Sequence, residues 1–268
     1  MTSIIAATKS VSALVSAARS EASDPSEALG VIASELRAWG FAFVPGADVA
    51  RLLSALAQSE WIAFAASWDD LGVDNYMADH GRYRRRRHAA FRITPEGIEP
   101  QPHRPHYQSR NHNPLNGGVL RWFDQVTPAT SGSLLSEIMA ICRSIFQRSE
   151  DGTVLCDSLV EMHQFRIEPG DSGAAKPTPE GMHRDGVDWV CVMLVDRLNV
   201  KQGITIVDRA DGVRLGSFTL RDPFDAMFID DRRVTHGVTP ISRVDPARPA
   251  HRDVLVLTFD QAPDQIDQ

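Results

Sequence analysis

His183 and Asp185 stand one residue apart in GMHRDGVDWV, at the entrance to a run that reads as a β-strand. In extended chain, positions i and i+2 share a face, so the imidazole and the carboxylate point the same way. Such a pair suits two ligands of one metal ion, and equally an ordinary hydrogen-bonded pair. A third donor would decide between them. Of the nine histidines, His236 in FIDDRRVTHGVTPI sits between two strand-like runs, about fifty residues of β-texture downstream. His-X-Asp followed by a distal His makes a two-histidine, one-carboxylate set. That set leaves one side of the metal open and suits Fe(II), with room for a bidentate co-substrate and O2.

A second feature lies sixteen residues past His236. HRDVLVLTFD reads as a strand in which Arg252, Val254, Val256 and Thr258 share one face. A guanidinium and a hydroxyl in an otherwise apolar wall need a partner. A carboxylate fits, because Arg grips it through two parallel hydrogen bonds. A dicarboxylic keto acid would reach both ends of such a site, chelating iron at one and meeting Arg252 at the other. Arg243 and Arg248 are rivals, but both fall in the Pro-rich stretch ISRVDPARPA.

The elements that must position these groups read as helices first and strands afterwards. Asp24-Pro25 has the form of a helix start, Leu29, Ile32, Leu36 and Trp39 follow at helical spacing, and Gly40 is placed to end the helix. FAFVPG is a short strand. DVARLLSALAQSEW is expected to be a second amphipathic helix, and SGSLLSEIMAICRSIFQRS a third, its apolar face made for core packing. From about residue 153, short apolar or alternating runs succeed one another with no helix between them. Asp211-Gly212 sits between two of them as a hairpin turn. The expected fold class is mainly β with flanking helices: a double-stranded β-helix, or cupin-like jelly roll, braced by N-terminal α-helices. The chain is read as a single domain over 1–268, with 1–150 as helical support and substrate-side segments and 151–262 as the β-helix core.

Bulk properties narrow the function classes. The net charge of −7 disfavours a nucleic-acid partner, and the basic run RYRRRRHAAF stands isolated in an acidic chain. No apolar run approaches the roughly 20 residues that span a bilayer. The N-terminal stretch does not read as a signal peptide, and Cys142, Cys156 and Cys191 fit neither a disulfide framework nor a CxxC site, so a cytoplasmic location is expected. A homodimer through the N-terminal helices is left open.

GMHRDG, THGVTPI and RDVLVLTF, in that order, resemble the Fe(II)/2-oxoglutarate-dependent dioxygenases. The resemblance is to the bacterial branch that includes L-isoleucine hydroxylase. It extends to YRRRRHAAF, HYQSRNHNPLNGGVLRWFD, MHQFRI and PTPEGMHRDG, and so covers most of the chain from about 75 to 260. One departure is Gln202-Gly203, where the family pattern has two glycines. The resemblance implies Fe(II) on His183, Asp185 and His236, 2-oxoglutarate as co-substrate with Arg252 and Thr258 at its distal carboxylate, and O2 as oxidant. It implies hydroxylation of a free aliphatic amino acid or close derivative, with no catalytic residue beyond the metal centre. For the substrate side, Tyr83, Arg85, Arg87, Tyr107, Gln108 and Arg166 are the expected contacts, although the sequence leaves open which face of 83–87 looks inward. The alternative is a non-oxidative, cupin-like metal protein: a hydrolase, an isomerase or a ligand sensor.

Overall fold

The computed structural model describes residues 24–53, 58–150, 158–170 and 173–261. The N-terminal arm and Cys156 lie outside them.

Helix α1 (Pro25–Trp39) forms where the sequence places it. The Asp24 carboxylate accepts the Glu27 N–H at 2.8 Å, Pro25 occupies the first turn, and Gly40, at φ 78°, returns its N–H to the Leu36 carbonyl. Ile32 and Leu36 are buried, whereas Trp39, expected on the same face, is half exposed in the last turn. β1 (Phe41–Val44) follows. The expected second helix is not continuous. α2 (Gly46–Leu52) stops at Leu53, whose backbone is extended, and α3 (Gln58–Ala66) is a separate element. Leaving helical geometry at that point lets Leu52 and Leu53, adjacent in sequence, both be buried. α4 (Ser133–Ser149) buries Leu134, Leu135, Ile138, Met139, Cys142, Ile145 and Phe146, the whole expected stripe.

The remaining strands are β2 (Arg84–Thr94), β3 (Gly97–Pro100), β4 (Asp124–Gln125), β5 (Ser158–Ile167), β6 (Trp189–Leu198), β7 (Val200–Gln202), β8 (Thr205–Arg209), β9 (Arg214–Phe218), β10 (Ala226–Asp230), β11 (Val234–Val238), β12 (Ile241–Arg243) and β13 (His251–Gln261). They build a large sheet in the order β1-β10-β6-β13-β5-β2-β3, antiparallel along that path, with β4 added parallel to β2. Opposite it lie the smaller sheets β11-β8-β9 and β12-β7. This is the jelly roll expected, and Gly212, at φ 82°, turns the β8–β9 hairpin.

Period-two alternation sorts the large sheet into two environments. On β13, Leu255, Leu257 and Phe259 join Val160, Met162, Cys191 and Met193 in an apolar core shared with α1 and α4. Arg252, Val254, Val256 and Thr258 point the other way, into the space between the sheets.

Candidate metal centre and cavity

A cavity of about 460 Å³ lies between the sheets, a size suited to a small ligand. His183, Asp185, His236 and Arg252 all line it. His183 comes from the loop before β6 and His236 from the middle of β11. Their backbones are joined by two reciprocal hydrogen bonds, each N–H donating to the other's carbonyl at 2.9 Å. The pairing sets the two rings 4.5 Å apart. His183 Nε2 is 3.7 Å from Asp185 Oδ1, and His236 Nε2 is 3.6 Å from Oδ2. One donor atom from each of the three residues falls within 4.8 Å of the others. Neighbouring donors at metal-ligand bond lengths of about 2.1 Å would sit about 3 Å apart, so a small inward movement closes this set on one ion.

The surrounding groups fix its orientation. His183 Nδ1 lies 3.0 Å from the Gly181 carbonyl, which holds the proton on that nitrogen and leaves Nε2 free for a metal. His236 Nδ1 is buried without a hydrogen-bond partner among the described residues. Burial pulls the His183 pKa down, but Asp185 and Glu180 outweigh it and leave it raised. Burial, with the neighbouring His183, pushes His236 below its ordinary value. Gly186, at φ +85°, lets the loop pass His112 closely: a Cβ there would lie 2.1 Å from the ring Nδ1. Asp231, unremarked in the sequence, accepts the backbone N–H groups of Asp185 (3.0 Å), Gly186 (2.8 Å) and Val187 (3.3 Å). Burial, and the charge of Asp185, raise its pKa.

Arg252 is 2% exposed, and its Nε and Nη2 have no hydrogen-bond partner among the described residues. Burial lowers its pKa to about 10. A buried guanidinium with unused donors is costly unless an anion completes it. Thr258 faces the same cavity but from the opposite end of β13. Six residues at strand rise separate it from Arg252 by about 20 Å, too far to share one carboxylate. Thr205, buried on β8, is the better-placed hydroxyl. It is two residues from Gly203, where a Cβ would approach Arg252 Cδ to 3.9 Å. Gln202, the departure from the double-glycine pattern, adopts φ 66° despite its side chain.

On the substrate side the structure chooses the other face of β2. Arg84 and Arg86 line the cavity. Arg85 pairs with Glu168 at 2.7 Å, Arg87 with Asp70 at 3.0 Å, and the Tyr83 hydroxyl donates to Asp79 at 2.6 Å. Arg166 is likewise turned away, held by Asp253 (2.7 Å) and Asp69 (2.9 Å). Tyr107 and Gln108 do line the cavity. Glu161, His106 and Arg121 line it too. A signal for the faces was present: Phe91 and Ile93 share parity with Arg85 and Arg87, and Val160 and Met162 with Gln164 and Arg166, so the apolar ends of both strands mark the helix-facing side.

Comparison with known proteins agrees with this geometry. The family model described as 2OG-Fe dioxygenase matches residues 65–258. The 3(1)-hydroxy-L-isoleucine 4-dioxygenase of Pantoea ananatis (strain AJ13355) is 24% identical over 234 residues, spanning 85% of this chain and 94% of that protein. The crystal structure of a bsmA homolog from Methylobium petroleophilum PM1 is similar with a TM-score of 0.80 and 34% identity, over 90% of this chain and 96% of that one. The structure of IDO from Bacillus thuringiensis shares the fold at a TM-score of 0.70 and 17% identity, over 88% and 100% of the two chains.

Proposed function

The chain belongs to the 2OG-Fe dioxygenase family, and from that premise we propose that it hydroxylates a free aliphatic amino acid or a close derivative at an unactivated carbon. The family uses Fe(II), 2-oxoglutarate and O2. Membership displaces the non-oxidative, cupin-like alternative.

In this reading His183, Asp185 and His236 hold the iron, and the donor set of two imidazoles and one carboxylate fits Fe(II). Bound iron supplies O2 activation coupled to oxidative decarboxylation of 2-oxoglutarate to succinate and CO2. The rest is positioning by this chain's own residues. Arg252 receives the distal carboxylate of 2-oxoglutarate, with Thr205 rather than Thr258 as the accompanying hydroxyl. Asp231 keeps the loop of Asp185 in place through three backbone N–H groups. Phe165, Val254 and Val256 furnish apolar walls that keep water from the reacting centre.

The observation that carries the co-substrate is the buried guanidinium of Arg252, whose Nε and Nη2 have no partner among the described residues, in the same cavity as the donor triad. The substrate class is supported by the Pantoea relative and by the charged groups Arg84, Arg86, Arg121 and Glu161 that line the same cavity as the triad. Aerobic incubation with Fe(II), 2-oxoglutarate and a panel of free amino acids should yield succinate and a product heavier by one oxygen atom. Succinate release that no amino acid stimulates would overturn the substrate class and leave the family untouched.

A further inference from the structure

Resting on the amino-acid reading above, we propose that Glu161, Arg86 and Arg121 form a clamp for a zwitterion: the carboxylate takes the substrate's α-ammonium, and the two guanidiniums take its α-carboxylate.

Glu161 sits on the cavity face of β5 between two imidazoles. His106 Nδ1 lies 2.7 Å from its Oε2, and His88 Nε2 3.3 Å from its Oε1. His88 is fully buried, and His163 stacks on it with ring centroids 4.8 Å apart. Burial pushes His88 down, His106 down to about 4, and His163 well down, so all three are neutral imidazoles at neutral pH. Burial would raise Glu161, but the hydrogen bond from His106 and the close approach of His88 hold it far below the usual carboxylate range. The result is a fixed negative charge held by one neutral imidazole and flanked by another, with part of its surface open to the cavity.

Beside it are two cations that no carboxylate of the described residues contacts. Arg84 is neutralised by buried Asp74 at 2.7 Å. Arg86 and Arg121 have no such partner among the described residues, and each keeps a buried Nε without a hydrogen bond. Burial lowers both, and after it the charge of Arg121 depresses Arg86 while that of Arg84 depresses Arg121. Arg86 is fixed between the rings of Phe123 (4.1 Å) and Phe165 (4.5 Å). Arg121 is bridged, backbone to backbone, with His106, which places the two side chains as a cross-strand pair. A carboxylate between Arg86 and Arg121 gives both guanidiniums a contacting anion, and an ammonium at Glu161 gives that carboxylate a charged contact where its hydrogen bond is to a neutral ring. The two charges of an α-amino acid are adjacent, as these partners are.

His88, His106, Glu161 and His163 also bring donor atoms within 4.8 Å of one another, as a second metal site would. The hydrogen bonds point to the other use. Arg86 Nη2 is 2.9 Å from His163 Nδ1, so that nitrogen accepts from a guanidinium and the ring proton lies on Nε2. His106 Nδ1 already serves Glu161. A dication here would have to sit beside the Arg86 guanidinium.

The test compares one amino acid that the wild-type protein hydroxylates with its N-acetyl, carboxamide and des-amino forms. The clamp requires KM to rise at least 50-fold for each altered form. In Glu161→Gln the KM for the free amino acid should rise at least 20-fold. The gap between the amino acid and its des-amino form should shrink to within about threefold, a readout that a merely structural role would not move. Anaerobic 2-oxoglutarate binding followed by visible absorbance, and iron content of one per chain, should be unchanged in that variant. Turnover of blocked forms as good as that of the free acid would sink the clamp alone. Failure of every free amino acid in the preceding panel to be hydroxylated would sink the amino-acid reading with it. Two metal ions per chain, falling to one in Glu161→Gln, would assign the carboxylate to a second metal instead.

Discussion

Gln108 Nε2 lies 2.9 Å from the backbone carbonyl oxygen of Asp185 and 3.4 Å from its Oδ1. The other end of the same amide, Oε1, accepts from Asn113 Nδ2 at 3.0 Å and from Arg121 Nη2 at 3.4 Å. One side chain therefore ties a proposed metal ligand to the substrate-side wall. Gln108→Glu places a carboxylate against Asp185 and removes the donor. We expect kcat/KM to fall at least tenfold, with succinate formed in excess over hydroxylated product. Equal succinate and product in the variant would show that the amide does not couple the two sides.

Arg252→Ala removes the charged partner proposed for the distal carboxylate of 2-oxoglutarate. Two charge-assisted hydrogen bonds contribute about 3 kcal/mol together, so the KM for 2-oxoglutarate should rise about a hundredfold. Arg252→Lys should recover only part, since an ammonium cannot grip in two places. Thr205→Val should raise the same KM several-fold, and Thr258→Val should leave it within twofold. The reverse order for the two threonines would put the co-substrate at the other end of β13.

Asp231→Asn keeps the size of the side chain and loses the charge. One of its terminal atoms becomes a donor facing the N–H groups of Asp185 and Gly186. Outer partners of metal ligands typically matter 10- to 100-fold in metal affinity, and a loss of about that size is expected in Fe(II) titration. Unchanged affinity would mean that the His183–Asp185 loop holds its shape without this carboxylate.

Stability should depend on pH through the buried histidines. His106 has a folded pKa of about 4, below the ordinary 6.5. Above pH 6.5 both states carry it neutral, and its burial costs no proton. As pH falls from 6.5 to about 4, the unfolded chain binds a proton that the folded chain refuses, so stability drops, by up to about 3 kcal/mol from this group. Glu161, with its pKa depressed, loses its contribution only at lower pH still. Urea unfolding across pH 7 to 4.5 should show the decline, and His106→Asn should flatten it. An unaltered slope in that variant would reassign the effect to other groups.

The chemistry-bearing residues differed in how far they could be read from sequence. His183, Asp185 and His236 declare themselves because period two and a β-rich context leave few arrangements for them. Arg252 does so because a cation interrupts an apolar face. The N-terminal helix and the long apolar helix were legible from caps and stripes, and Asp24, Gly40 and Ile138 act as their types suggest. Residues 83–88 were not legible from their own composition. Arginine on both faces carries no alternation, and the decision belongs to Phe91 and Ile93 further along the strand and to the register with β5. Asp231 was hidden for another reason. Its partners lie 44 to 46 residues away, and neighbouring Asp230 spends its carboxylate locally on Arg232. Glu161 gains its meaning only from His88 and His106, which arrive from two other segments.

The reciprocal hydrogen bonds between the backbones of His183 and His236 stitch together segments 53 positions apart through main-chain groups, which a metal does not use. The mould is thus cast before the metal is poured. Metal-free protein should refold and retain its shape, and reloading should be a simple filling step. The same rigidity makes the cradle indiscriminate: other divalent ions of similar radius would lodge there and silence the protein without unfolding it.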